Sequence, residues 1–423
     1  MVSKVVQHSR LIILATLLLG LGAACRPGEN MTSQEAFTYL ERGTASLEEG
    51  DYDQAIADFD RVIEFDPGFG EAYYYRGEAY HDIGDYEKAI ADYDRAIELD
   101  PRDAVTYNNR GLAYDGTGDY ERAIADYDRA IELEPNNAVA YYNRGYAYHD
   151  TGDYERAIAD YGRAIELDPK DADAYNNRGA AYHDTGDYEK AIADYERAIE
   201  LNPKDAGAYN NRGYAYHDTG DYEKAIADYD RAIELDPEDA VAYYNRGYAY
   251  HDTGDYEKAI ADYDRAIELD PKDAVAYYNR GLAYHDTGDY EKAIADYDRA
   301  IDLDPQDADF YNYRGLAYYY IGDYERAIAD YDRTIELDQI YADAYYYRGW
   351  VYSDQGENER AIADFDRSIE LDPQDAYAYY YRGLAYADKG DTERAIADLE
   401  KALELGLPPE LQQEAQETLD ALR

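Results

Sequence analysis

Between Ala240 and Asp273 the apolar positions follow a helical spacing twice over. Ala242, Tyr243, Gly247, Ala249 and Tyr250 fall near i, i+3/i+4 and i+7, the stripe of one amphipathic helix. Gly254 breaks it, and Asp255 is placed to accept a backbone N–H as the cap of the next helix. Ala259, Ile260, Tyr263, Ala266, Ile267 and Leu269 form the stripe of that second helix. Pro271 fixes its own φ and disfavours helix at Asp270, so the second helix stops there. Asp273 can then cap whatever helix follows. The pattern predicts a helical hairpin with Tyr250 in the core between its two helices.

The hairpin is not unique. Ala138–Asp171 differs from Ala240–Asp273 at two of 34 positions, with Arg156 for Lys258 and Gly162 for Asp264. An Arg-Gly pair returns every 34 residues, eleven times, from Gly43 to Gly383. A hairpin of this size cannot bury its apolar face alone, so a gapless period means a stacked array with contacts between neighbours. Length alone would suggest two or three domains; the period overrides it.

The unit resembles the tetratricopeptide repeat. Counting from Ala240, the family's aromatic at position 4 is Tyr243, the small residue at 8 is Gly247 and the aromatic at 11 is Tyr250. Gly254, Tyr256, Ala259, Tyr263, Ala266 and Pro271 complete the motif. The resemblance covers residues 36–405 and departs at position 7, where Arg246 stands in place of leucine. It implies an all-α fold, an α-solenoid in the form of a right-handed superhelix of eleven helix-turn-helix repeats. Repeat 9 has Gln339 for the terminal proline, and repeat 10 brings Trp350 and Asn358. Drift toward the ends is what terminal units should show. Residues 406–423 read as a C-terminal capping helix, started by Pro409 and apolar at Leu411, Ala415, Leu419 and Leu422.

Residues 1–24 are of another kind. Lys4, His8 and Arg10 precede fourteen residues without a charge, Leu11 to Ala24, which describes a secretory signal. That run is short of the roughly 20 residues a spanning helix needs, although an uncleaved anchor is the other reading. Leu21-Gly22-Ala23-Ala24-Cys25 resembles the lipobox of bacterial lipoproteins, in which the cysteine is lipidated after cleavage, with Gly22 where the family has leucine. Cys25 is the only cysteine; ordinary cleavage would leave it a free thiol. Residues 25–35 form a tether, and Thr32 with Glu35 matches a capping box for the first helix.

Composition sharpens this picture. The formal charge of −53 repels phosphate backbones and argues against nucleic acid as a partner. Anionic membrane surfaces are repelled too, leaving the lipid on Cys25 as the means of membrane attachment. Basic partner segments would be drawn in, chiefly through association rate.

Every repeat has Arg at position 7 and Asp at position 23, Arg246 and Asp262 in the reference unit. An arginine repeated at an apolar site implies a paired charge, with Asp262 its partner across the hairpin. The competing arrangement pairs Asp262 with Arg265 along one helix. Six repeats carry His-Asp at positions 12 and 13: His81, His149, His183, His217, His251 and His285 with the aspartates that follow. Neighbouring helices stack near 10 Å, too far for a row of zinc ligands at about 2 Å, so solvated or hydrogen-bonded histidines are expected. A pH-dependent surface charge is the other possibility.

The resemblance also implies a concave face lined by positions 2, 5, 9, 12 and 13 of the first helix. Here those positions supply Tyr142, Tyr146, His149, Asn176, Asn210, Tyr214, His217, Tyr244, Tyr248, His251, Tyr278 and His285 as a candidate partner-binding groove. Tyrosine is a rigid, amphipathic contact residue, although at positions 5 and 9 it can equally serve packing. The carboxylate clamp of the family's chaperone-binding branch is not expected. Asn109, Asn143 and Asn177 are present at position 6, but the lysine and arginine partners are missing. No repeat gathers a nucleophile, a base and a ligand set, so no catalytic residue, metal or cofactor is assigned. The expectation is a non-enzymatic scaffold, lipid-anchored in a bacterial cell envelope, that binds protein or peptide partners with basic segments. An accessory subunit of an envelope enzyme and a cation-buffering surface protein are the alternatives.

Overall fold

The computed structural model describes residues 31–423; Cys25 and the segment 1–24 lie outside the described residues. Among the described residues there are 23 helices and no strand. They fall into two compact units, one ending at Ala215 and the other starting at Tyr216. The repeats are pairs, helix A followed by helix B, and within each unit a helix A packs on its own B and on the B that precedes it.

Local chemistry sets the boundaries. Thr32 and Glu35 close a reciprocal capping box ahead of the first helix, Ser33–Glu49. In repeat 7, helix A is Ala240–Asp252 and helix B is Tyr256–Leu269. Gly254 turns the chain at φ 78°, a conformation that costs an L side chain energy, and Asp255 caps helix B on the N–H of Lys258. Asp273 accepts from the N–H groups of Val275 and Ala276 at the start of the next helix. Repeat 9 shows that proline is dispensable: its helix B still ends at Leu337, and Asp338 accepts from the N–H of Ile340.

The core is alanine closed around rings. Ala242, Ala249, Ala259 and Ala266 are buried, and Tyr263 has no exposed surface. A Cβ on Gly247 would stand 3.0 Å from Cε1 of Tyr263, which is why position 8 carries glycine. Tyr250 departs from expectation. It is half-buried at the edge of the cluster, with the Lys258 ammonium 4.9 Å from its ring centre. The ring one helix on, Tyr263 at position 24, fills the space instead. After repeat 11 the helix Pro409–Leu422 lays Ala415 and Leu419 against Leu399, Ala402 and Leu407, and Tyr380 donates to Glu414 at 3.0 Å.

Candidate functional site

Arg246 donates from Nε to Oδ2 of Asp262 at 2.8 Å and from Nη2 to Oδ1 at 2.6 Å, a bidentate pair across the hairpin. Its remaining nitrogen, Nη1, donates to Oδ1 of Asp230 at 2.6 Å, on helix B of the preceding repeat. One guanidinium thus ties three helices. The same two-sided grip recurs at Arg76, Arg110, Arg144, Arg280, Arg314, Arg348 and Arg382. The bond from Asp262 raises the Arg246 pKa above its ordinary value. Burial raises the pKa of Asp92, Asp126, Asp296 and Asp330 despite the arginine beside each. Arg265 takes no part with Asp262; it donates to Glu268 at 2.9 Å.

The tyrosines proposed for the groove divide by position. At position 9, Tyr146 and Tyr214 are each 43% exposed and Tyr248 is 37% exposed. At position 5, Tyr142, Tyr244 and Tyr278 are half-buried. Asn177 donates to the Tyr142 hydroxyl at 2.7 Å and Asn279 to that of Tyr244 at 3.2 Å, each from the next repeat. At two of the position-5 asparagines the rung is amide on amide: Asn211 donates to Asn176 at 3.2 Å and Asn143 to Asn108 at 3.0 Å. Asn210 is half-buried at this same position. Tyr278 packs among Tyr297, Phe310 and Tyr313. Position 5 therefore joins repeats, and position 9 offers open ring surface.

Three of the histidines reach an acid of the next repeat. Nε2 of His149 lies 2.9 Å from Oδ2 of Asp184, and His217 with Asp252 and His251 with Asp286 repeat the contact at 3.0 Å. The expected gap of one helix spacing is bridged because both side chains extend along the stacking direction. His217 is only 8% exposed. Tyr214 stacks on His183 and Tyr248 on His217, ring centres 4.9 Å apart in both. Among the described residues no group of His, Cys, Asp and Glu could hold a metal ion. The row is interrupted at both ends. His285 keeps its own Asp286 at 3.6 Å but meets Tyr320 where the next repeat would supply an acid, and burial holds its pKa below the usual histidine value. In repeat 3 Asp115 replaces the histidine; burial, then the charge of Asp150, pushes its carboxyl up to about 6.

Sequence reasoning passed over two features of this face. Val139, Val241 and Val275 at position 2 are exposed, and their signal was a β-branched residue where repeats 2, 5, 6, 9 and 10 have Asp, Glu or Gly. Trp350 gathers Tyr319 at 4.8 Å and Tyr381 at 5.5 Å into an aromatic cluster, signalled by its being the only tryptophan.

Paired helices in register, tied by one arginine per repeat, define an α-solenoid of a single repeated hairpin. Models described as TPR repeat match residues 43–84, 77–118, 116–152, 145–186, 181–220, 213–254 and 247–288. Models described as tetratricopeptide repeat match 274–307, 296–329, 314–376 and 349–406. The chain belongs to the tetratricopeptide repeat family. No curated protein matches it. Among solved structures it is similar to yeast Tom70, at 18% identity over 92% of this chain and 96% of that one, TM-score 0.44. It is also similar to YrrB, described as a TPR protein with an unusual peptide-binding site, at 30% identity over 44% of this chain and 95% of that one, TM-score 0.37. A tetratricopeptide repeat protein from Parabacteroides merdae ATCC 43184 matches at 25% identity over 59% of this chain and 98% of that one, TM-score 0.47.

Proposed function

We propose that the chain is a non-enzymatic scaffold that receives basic segments of protein partners on the tyrosine-bearing face of its A helices. The observation that carries this reading is the open rings at position 9, Tyr146 and Tyr214 in one unit and Tyr248 in the other, on a chain of charge −53. Large rigid rings give contact area at low entropic cost, and the acidic field steers cations toward them. Family membership supports the class of activity, since the fold by itself fixes no partner.

The scaffold would be held at a bacterial membrane by lipid on Cys25, facing the cell envelope. This rests on the sequence before residue 26; no described helix is long and apolar enough to cross a membrane. Photo-crosslinkers placed at Tyr146 and Tyr248 in cells, followed by mass spectrometry, test the binding reading. Recurrent capture of a protein through a Lys- or Arg-rich segment supports it, and capture only from crosslinkers on the B helices overturns it. An intact mass showing unmodified Cys25 removes the anchor.

A further inference from the structure

The A helices of repeats 1 to 3, with Tyr93 from helix B of repeat 2, line an open cavity of about 330 Å³. It falls within the 300–1,000 Å³ range of small ligand pockets. Its apolar walls are Leu47, Tyr93 and Leu112, and Glu48, Glu78 and Asp82 bring carboxylates to it. Glu78 is the departure that makes it. It occupies position 9, where the following repeats carry Leu, Tyr, Ala or Trp.

The Glu78 carboxylate is held in place on one side only. Tyr74 donates its hydroxyl to Oε1 at 2.8 Å, and Asn109 of repeat 3 donates to the same oxygen at 3.3 Å and to the Tyr74 hydroxyl at 3.0 Å. Oε2 receives no hydrogen bond among the described residues. No lysine or arginine of the described chain pairs with Glu48, Glu78 or Asp82; Asp82 meets only the ring of His81, at 3.5 Å. Burial pushes the Glu78 carboxyl up to about 7, the response of a carboxylate short of a cation. A long cationic side chain supplies what is missing, since its methylenes suit Leu47, Leu112 and the Tyr93 ring while its head reaches the acids.

We propose that the cavity between repeats 1 and 3 is a specificity pocket for one lysine or arginine side chain of a bound peptide, with Glu78 as its anion. This rests on the reading that the A-helix face binds basic segments, and it fixes where along that face the register of such a segment is set. A divalent cation fits less well, because the described residues offer no ligand cluster.

The test uses the full chain with fluorescein-labelled (Lys-Gly)5, (Arg-Gly)5 and (Gln-Gly)5 at pH 8 and 150 mM salt, read by anisotropy. Wild type should bind one or both cationic peptides and ignore (Gln-Gly)5. Glu78→Gln should weaken that binding at least tenfold, while Glu121→Gln, which removes an exposed acid elsewhere, stays within twofold. Selective loss for one peptide supports the pocket and identifies the head group it takes. Equal, small losses in both variants overturn the pocket and leave a diffuse acidic face. If bound peptide protects B helices rather than A helices from hydrogen exchange, the reading of the face fails together with the pocket. Circular dichroism of Glu78→Gln confirms that the fold is intact.

Discussion

Arg178 faces Gly162 across the junction of repeats 4 and 5: a Cβ built on the glycine would stand 3.6 Å from Nη1 of the arginine. Arg178 keeps its bidentate bond to Asp194, at 2.7 Å for each contact. The aspartate that takes the third nitrogen at Arg246 has no counterpart here, because position 25 of repeat 4 is this glycine. Gly162→Asp should therefore stabilise the array by about 0.5–1.5 kcal/mol, combining helix propensity with a half-exposed ion pair. Gly162→Asn has similar propensity without the charge, and Asp should exceed it by about 0.2–1 kcal/mol in urea denaturation. That margin should shrink in high salt. No margin at low salt would mean the third contact contributes nothing.

The bidentate half of the staple should weigh more than the outer half. Arg246→Leu restores the residue usual for the family yet leaves Asp262, 6% exposed, without its partner. Breaking a buried pair from one side costs about 3–5 kcal/mol, whereas adding Asp262→Leu should recover much of it. Asp230→Asn, at a side chain 51% exposed, should cost under about 1 kcal/mol. Thermal melts of the four proteins decide this. A single Arg246→Leu variant that melts like wild type would show the pair to be incidental.

The repeat, its caps and its turns were legible because each depends on residues close in sequence and recurs along the chain. The inner half of the staple was legible for the same reason: Asp262 follows Arg246 by 16 residues on the helix that must pack beside it. The outer half has the same spacing in the opposite direction, Asp230 preceding Arg246 by 16, but belongs to the neighbouring unit. A reading confined to one hairpin could not choose it. The acid partners of the histidines, one repeat on, were not assigned for a related reason. Helix spacing bounds backbones, whereas His149 and Asp184 each extend toward the other and close the gap. Tyr250 was overvalued because position 11 and position 24 are both aromatic, and periodicity does not say which ring reaches the centre.

Stability and binding should separate between rings on the two helices. The Tyr263 hydroxyl is buried without a hydrogen-bond partner, and the same position is Phe59 in repeat 1 and Phe365 in repeat 10. Tyr263→Phe should stabilise by about 1 kcal/mol, since an unsatisfied buried hydroxyl costs about 1–3 kcal/mol. Tyr248→Ala should leave the melt nearly unchanged and weaken capture of a basic partner by about 2 kcal/mol, the scale of an interface aromatic. If Tyr248→Ala lowers the melt and spares binding, the position-9 rings are packing, and the partner surface lies elsewhere.

The interruption of the histidine row in repeat 3 makes a prediction about pH. Asp115 stands where His149 stands one repeat later, its Oδ1 is buried without a partner, and the nearest charge it feels is Asp150. Its folded pKa of about 6 lies above the ordinary 3.8, so the folded state holds the proton more tightly than the unfolded chain. The stability this group contributes is then fully present below about pH 4 and is lost as pH rises toward 6. With the side chain partly exposed, solvent screening limits the loss to about 1–2 kcal/mol. Asp115→Asn should remove that loss, so wild type and variant diverge between pH 4 and 6 and run parallel above it. Asp115→His goes further, placing an imidazole opposite Asp150 as His149 is placed opposite Asp184. It should be more stable than wild type at pH 6, where a protonated ring meets an ionised acid. Hydrogen exchange of the helix A amides in repeat 3, Ala104–Gly116, reads the effect locally without requiring the whole array to unfold as one. Superimposable pH profiles for wild type and Asp115→Asn would mean that Asp115 ionises as freely in the fold as in the unfolded chain.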